Sequence, residues 1–269
     1  MTTLPRLIAF DLDGTLLTSQ KRVTDRTVSA IRELRIRGVR IILCTGRPPR
    51  NTRSFMNQLE INTAIVYNGA GLYGYRNNVT THVQTLSKTT AQVILKKMRE
   101  TFSDIQVGLE TLEGWYLDQN FFDFRQQIRE EPDQIPPNGV GRVERFLEGQ
   151  SAIKLLFRHP HKSALELSRS LSKQSIYQTW SASSVLEVMH PQVNKGNALC
   201  RLAKKLGIER EETAAFGDQH NDREMLLWAG TSVAPANASP QIRAISNVLT
   251  TSNDEDGIAR VLENWLGKS

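Results

Sequence analysis

The 269-residue chain contains only two cysteines, Cys44 and Cys200. That is too few for a disulfide-stapled scaffold. Each lies in an apolar context, so buried thiols in a reducing compartment, the cytoplasm, are expected. Long apolar runs are also missing. Nothing approaches the ~18 residues needed to span a bilayer, so no membrane partner is expected. The start, Met1-Thr2-Thr3-Leu4-Pro5-Arg6, lacks the apolar stretch and small-residue cleavage site of a signal peptide. There is no internal repeat and no low-complexity tract. Blocks of one charge sign are absent as well. The net charge is +6, but the basic residues are dispersed. The densest run, Arg32 to Arg40, falls on one amphipathic helix and its exit. A nucleic-acid partner is therefore not expected.

What is present reads as globular. Hydrophobic residues make up 39% and charged residues 23% of the chain, enough for one large or two modest cores. Leu7-Ile8-Ala9-Phe10 is a short apolar run ending abruptly at Asp11, the pattern of a buried parallel strand. Thr24 or Asp25 can cap a helix carrying Val28, Ile31 and Leu34 and ending near Gly38. A second strand, 39–44, ends at Thr45-Gly46-Arg47. A helix holding Phe55, Met56 and Leu59 follows, then a third strand, 64–67, ending at Asn68-Gly69-Ala70. This alternation predicts a parallel sheet with right-handed crossovers. Open α/β sheets bind ligands beyond the carboxyl ends of their strands, where the polar and glycine residues cluster here.

The middle of the chain has a different rhythm. It predicts a helix over 89–102, a possible hairpin from 106–109 and 115–117, a loop containing Pro132, Pro136, Pro137, Gly139 and Gly141, and strands over 152–157 and 185–189. The α/β alternation returns after His190-Pro191, with a helix over 197–206, a strand 214–216, a helix near 222–229, two short strands and a terminal helix over 257–266. The expected organisation is a Rossmann-like core, 1–85 and 190–269, split by an α+β insert at 86–189.

Four polar clusters end predicted core strands. Asp11 and Asp13 are two carboxylates that repel unless a divalent cation or a shared proton relieves them. Oxygen-only ligands suit magnesium. Thr45-Gly46-Arg47 offers a hydroxyl and backbone N–H groups to phosphate oxygens. Lys195, before Gly196, can neutralise a phosphate as a point charge. Asp218 can complete a metal site and Asp222 support it. Singly, each has a plain structural explanation: an Asp-rich turn, a helix cap, a lone Lys-Gly, a capping turn. His220 is expected to be a surface residue rather than a ligand.

In this order the four clusters resemble the haloacid dehalogenase superfamily of phosphohydrolases over nearly the whole chain. The resemblance is closest to the Cof-type, class IIB branch, with its large cap inserted after the third core strand. Asn68-Gly69-Ala70, Leu186-Glu187-Val188 before Asn194-Lys195-Gly196, Asn237-Ala238 and Ser252-Asn253-Asp254-Glu255-Asp256-Gly257 match further. Two departures concern loop shape: Pro235-Ala236 precedes Asn237, and Gln192 stands where the family often has glycine.

The resemblance implies a magnesium-dependent phosphatase. Asp11 would be the nucleophile that becomes an aspartyl-phosphate, and Asp13 the general acid and base. Thr45, Gly46, Lys195 and Asn221 would bind the phosphoryl group. Asp11, the carbonyl of Asp13 and Asp218 would hold the metal, with Asp222, Arg47 and Asn68 in support. Two alternatives share this core: a phosphosugar mutase and a catalytically inactive phosphometabolite-binding protein. The cap would recognise the leaving group, although Trp115, Tyr116, Phe121, Phe122 and Phe124 read as core. Sugar phosphates, nucleotides, flavin mononucleotide and pyridoxal phosphate all remain open as substrates.

Overall fold

The computed structural model describes residues 4–128, 135–182 and 184–267. It divides into two compact units. One is formed by the chain up to His82 together with the chain from Asn194 onward, the other by Val83–Val193.

The first unit begins with β1 (Leu7–Phe10), whose four residues are all buried. In α1 (Asp25–Ile36) the Thr24 side chain accepts from the Thr27 N–H, satisfying one of the N–H groups that a helix start leaves unpaired. Ala30, Ile31 and Leu34 form its buried face, at the helical spacing that puts them on one side. β2 (Arg40–Cys44), the short α2 (Arg53–Gln58) and β3 (Thr63–Val66) follow. The chain then turns through three left-handed residues, Tyr67, Asn68 and Gly69 (φ 52°, 56° and 102°). It returns as β4 (Gly71–Gly74) and β5 (Val79–Thr81), both antiparallel. These two strands were not foreseen. Their few residues, bounded by glycine and asparagine, carry too little alternation to register.

The second unit contains α3 (Lys88–Thr101), β6 (Gln106–Glu110), β7 (Trp115–Leu117), α4 (Gln119–Ile128), β8 (Gly139–Val140), β9 (Lys154–Arg158), α5 (Ala164–Arg169), β10 (Tyr177–Ala182) and β11 (Val185–Met189). β6 and β7 pair as the antiparallel hairpin that their sequence suggests. The sheet order is β10-β11-β9-β6-β7-β8. Val107, Leu109, Leu155, Phe157, Leu186 and Val188 alternate onto one face and pack with Ile94, Leu95 and Met98 of α3. Trp115, Leu117 and Phe121 form a separate small cluster with Phe122 and Phe124 against it. Tyr116 stacks on Phe146, ring centres 4.5 Å apart. These aromatics are packed, as their pattern suggested. Within the expected Pro/Gly loop, Gly139–Val140 instead adds a strand parallel to β7, and Pro132 lies outside the described residues.

The first unit resumes with α6 (Lys195–Lys205), β12 (Thr213–Phe216), α7 (Arg223–Trp228), β13 (Thr231–Ala234), α8 (Pro240–Ile245), β14 (Val248–Leu249) and α9 (Gly257–Leu266). The helix α6 starts at Lys195 rather than at Asn197, because the Asn194 side chain accepts the Asn197 N–H at 2.6 Å. The sheet order is β14-β13-β12-β1-β2-β3-β4-β5. Successive parallel strands run outward from β1 on one side, and the later strands run outward from it on the other. β1 is thus the switch point, where the crevice of a doubly wound sheet opens. Among the described residues, no helix is long and apolar enough to cross a membrane.

Candidate active site

Strand register assembles the site. Phe10 pairs with Phe216 on one side and Leu43 on the other. The residues that follow, Asp11, Gly217-Asp218 and Cys44-Thr45, therefore emerge at one level. The Asp11 N–H still donates to Phe216 O (3.0 Å) and the Thr45 N–H to Ile65 O (2.9 Å). Backbone pairing thus holds both residues as the chain leaves the sheet.

Asp11 is buried, and Lys195 lies wholly out of solvent in the first turn of α6. Lys195 Nζ donates to Asp11 Oδ1 and to Asp222 Oδ1, each at 2.5 Å. The other oxygen of Asp222 accepts the N–H groups of Asp218 and Gln219, at 2.9 and 3.0 Å. Asp218 Oδ1 accepts from Thr15 Oγ1 at 2.7 Å. Gly14 lies in the left-handed region (φ 79°), and a Cβ there would sit 2.3 Å from Asp218 Oδ2. Only glycine lets the Asp218 carboxylate approach the backbone of the first loop this closely. Gly217 has a similar role, since a Cβ there would meet the Asp222 Cβ at 2.5 Å.

Asp11, Asp218 and Asp222 present oxygens within 4.8 Å of one another, all buried. Burial, and then the repulsion of the other carboxylates, pushes the Asp11 pKa well above the ordinary range against the pull of Lys195. Burial and Asp222 likewise raise Asp218, to about 7. Burial works against the Lys195 ammonium, but Asp11 and Asp222 outweigh it and its pKa lies above the usual lysine value. Three acids share one buried cation, so the donor set is short of positive charge. An oxygen-only pocket with this deficit suits a hard divalent cation. Both oxygens of Asp222 are already committed, which leaves Asp11 and Asp218 as the carboxylates best placed to hold it.

Asp13 has different surroundings. Arg47 grips it in a fork, Nε to Oδ2 and Nη2 to Oδ1, both at 2.7 Å. Lys21 Nζ adds a contact to Oδ1 at 2.7 Å. Burial would raise its pKa, but the Arg47 hydrogen bonds and charge, then Lys21, hold it down at about 2. Two carboxylates separated by a single residue thus sit in opposite electrostatic settings.

The remaining candidates join the same group. Thr45 is buried, and its Oγ1 accepts the Arg47 N–H (3.1 Å). Asn68, buried in a left-handed conformation, donates its N–H to Thr45 O (2.9 Å). Its side chain leaves no room for a Cβ on Gly46, which would come within 2.8 Å of Oδ1. Asn221 Nδ2 donates to Asn68 Oδ1 (3.1 Å). Asn221 Oδ1 is buried and has no partner among the described residues, an acceptor that a donor in the site would satisfy. The contacts thus join Asp11, Lys195, Asp222 and Asp218 on one side, and Asp13, Arg47, Thr45, Asn68 and Asn221 on the other, with Asp13 two residues from Asp11 and Asn221 next to Asp222 in the chain. His220 is half-buried and lies outside the acidic trio.

Sequence reasoning missed Lys21, a lone lysine in a polar loop with no signal attached. It also left several matching motifs without a task. Asn237 Nδ2 donates to Gly14 O (2.7 Å) and Asn253 Nδ2 to Leu17 O (2.8 Å). Asp254 Oδ1 accepts the Ser19 N–H (2.7 Å). The segments 237–238 and 252–257 brace the loop that carries Asp11 and Asp13.

Residues 8–262 match the haloacid dehalogenase-like hydrolase family. The chain is 28% identical to the 5-amino-6-(5-phospho-D-ribitylamino)uracil phosphatase YitU of Bacillus subtilis, over 99% of each chain. It is 29% identical to the HMP-PP phosphatase of an Enterobacter species, covering 97% of this chain and 96% of that one. The solved structure of a subclass IIB sugar phosphatase of the superfamily superposes with a TM-score of 0.85, at 20% identity, covering 98% of this chain and all of the other. At that identity the structural likeness shows the fold. The chain belongs to the haloacid dehalogenase-like hydrolases, as a phosphatase of the Cof type with a Rossmann-like core and an inserted cap.

Proposed function

We propose that this phosphatase hydrolyses phosphate esters of small metabolites with magnesium, through an aspartyl-phosphate on Asp11. The observation that carries this is the Asp11 carboxylate itself. It is buried at the switch point of the sheet, held by Lys195 and set beside Asp218. Asp11 attacks phosphorus and the bond to the leaving oxygen breaks. Asp13, ionised while Arg47 and Lys21 hold it, takes up a proton as the phosphate ester draws those cations away, and donates it to that oxygen. Asp13 then takes a proton from the water that attacks the aspartyl-phosphate, and free phosphate departs with both carboxyls restored. Thr45, the Gly46 N–H, Lys195 and Asn221 bind the phosphoryl oxygens, while Asp222 holds Lys195 in place. Asp11, Asp218 and the carbonyl of Asp13 would hold magnesium, which would supply positive charge to the phosphoryl group. Arg47 and Asn68 keep the surrounding loops in position.

A carboxylate nucleophile divides one difficult displacement into two easier ones. The names of the relatives support a small phosphorylated metabolite as substrate, within the range of sugar phosphates, nucleotides, flavin and pyridoxal phosphates. The test is release of 4-nitrophenol from 4-nitrophenyl phosphate. Turnover is expected with magnesium, and its loss in excess chelator or in Asp11→Asn. Full turnover in chelator would overturn the metal assignment, and a turning-over Asp11→Asn the nucleophile.

A further inference from the structure

The grip on Asp13 carries an inference about the substrate. A general acid must free an oxygen to hand over its proton, yet both Asp13 oxygens are engaged, one by Arg47 and the other by Arg47 and Lys21. The cations are built into position. The Arg47 guanidinium lies over the Phe55 ring at 5.5 Å, and Nη1 donates to Asn51 O at 3.4 Å. Lys21 sits in a turn closed by its own N–H to Thr18 O (2.9 Å) and tied down by Asp254. Its φ is 59°, a left-handed conformation that a lysine rarely adopts and that persists where the surroundings impose it. The Lys21 side chain is 46% exposed, so its ammonium can turn to an incoming anion at little cost.

Arg47 and Lys21 thus converge on Asp13, where the phosphatase reading above puts the leaving oxygen. A planar guanidinium fork with an ammonium next to it fits a phosphate as well as it fits a carboxylate. We propose that Arg47 and Lys21 form a subsite for the departing phosphate of a diphosphate end, Lys21 being the residue that favours such substrates over simple monoesters. The inference rests on the phosphatase reading above. Asp11 takes the terminal phosphoryl group, and the bridging oxygen leaves with the bonding electron pair as part of a phosphate anion. That anion needs cations rather than a proton. Asp13, which gave up no proton to the leaving phosphate and is ionised, then takes one from the water that hydrolyses the aspartyl-phosphate, and that proton leaves with the released phosphate or to solvent.

The test compares kcat/KM for inorganic pyrophosphate and for 4-nitrophenyl phosphate, both with magnesium, in wild type, Lys21→Met and Lys21→Arg. Loss of one charge-assisted contact is expected to lower the pyrophosphate-to-aryl ratio about tenfold in Lys21→Met, mainly through KM, with Lys21→Arg within about threefold of wild type. A ratio that stays constant or rises in Lys21→Met overturns the subsite. Absence of turnover on both substrates would instead refute the phosphatase reading. Calorimetry with imidodiphosphate then decides the subsite alone. Affinity about tenfold weaker in Lys21→Met supports it, and equal affinity overturns it.

Discussion

Replacing Asp218 by asparagine should make the metal-free protein more stable while removing a ligand of the proposed magnesium site. Asp218 is buried beside Asp222, with its pKa raised from 3.8 to about 7 by burial first and that neighbour second. The folded state therefore binds the proton more tightly than the unfolded state does. Stability from this group is fully present below about pH 4 and is lost as pH rises through about 7. The gap between those pKa values corresponds to about 4 kcal/mol once the group is fully ionised, as a ceiling. Asp11 and Asp222 share the same repulsion, so a gain of about 2–4 kcal/mol is expected in Asp218→Asn above pH 8. The asparagine carbonyl can still accept from Thr15, so little packing is lost. Urea unfolding in chelator at pH 4, 6 and 8 measures this. The variant should match wild type at pH 4 and exceed it increasingly up to pH 8. Added magnesium should stabilise wild type and leave the variant nearly unchanged. A variant less stable than wild type at pH 8 in chelator would refute the account of a carboxylate cluster short of positive charge.

Asp13→Asn should keep the nucleophile but slow the second step, so acid quench during turnover of 4-nitrophenyl phosphate should trap a phosphoenzyme that wild type does not accumulate; label on residue 13 rather than Asp11 is the contrary result. Its loss of activity should be larger with a sugar alkoxide leaving group, by up to ~10²–10⁴-fold for the missing acid, than with nitrophenolate. Lys195→Met leaves Asp11 and Asp222 buried together without their cation, and should cost about 3–5 kcal/mol at pH 7.5 in chelator by urea unfolding. Protonation of Asp11, whose pKa burial raises, relieves the pair, so the deficit should shrink at pH 5.

The core strands and most residues of the candidate site could be read from the sequence because the information there is local. A buried parallel strand is a short apolar run, and its carboxyl end is marked by the first polar residue, so Asp11, Thr45 and Asp218 are visible where β1, β2 and β12 stop. A helix such as α3 declares itself through Ala91, Ile94, Leu95 and Met98 on one face. Other features were not local. Whether Asp11 and Asp218 meet depends on Phe10 standing opposite Phe216, a register set by packing across some 200 residues of chain. The opposite settings of Asp11 and Asp13 arise from Lys195 on one side and Arg47 with Lys21 on the other, and two aspartates in one turn cannot show which cation each will face. Lys21 carried no signal at all, since a loop lysine acquires a role only from what lies across from it. Pattern records which face a residue turns to the core, because periodicity and burial share one repeat. Pairing between distant charges leaves no repeat in the chain and is decided only when the sheet closes.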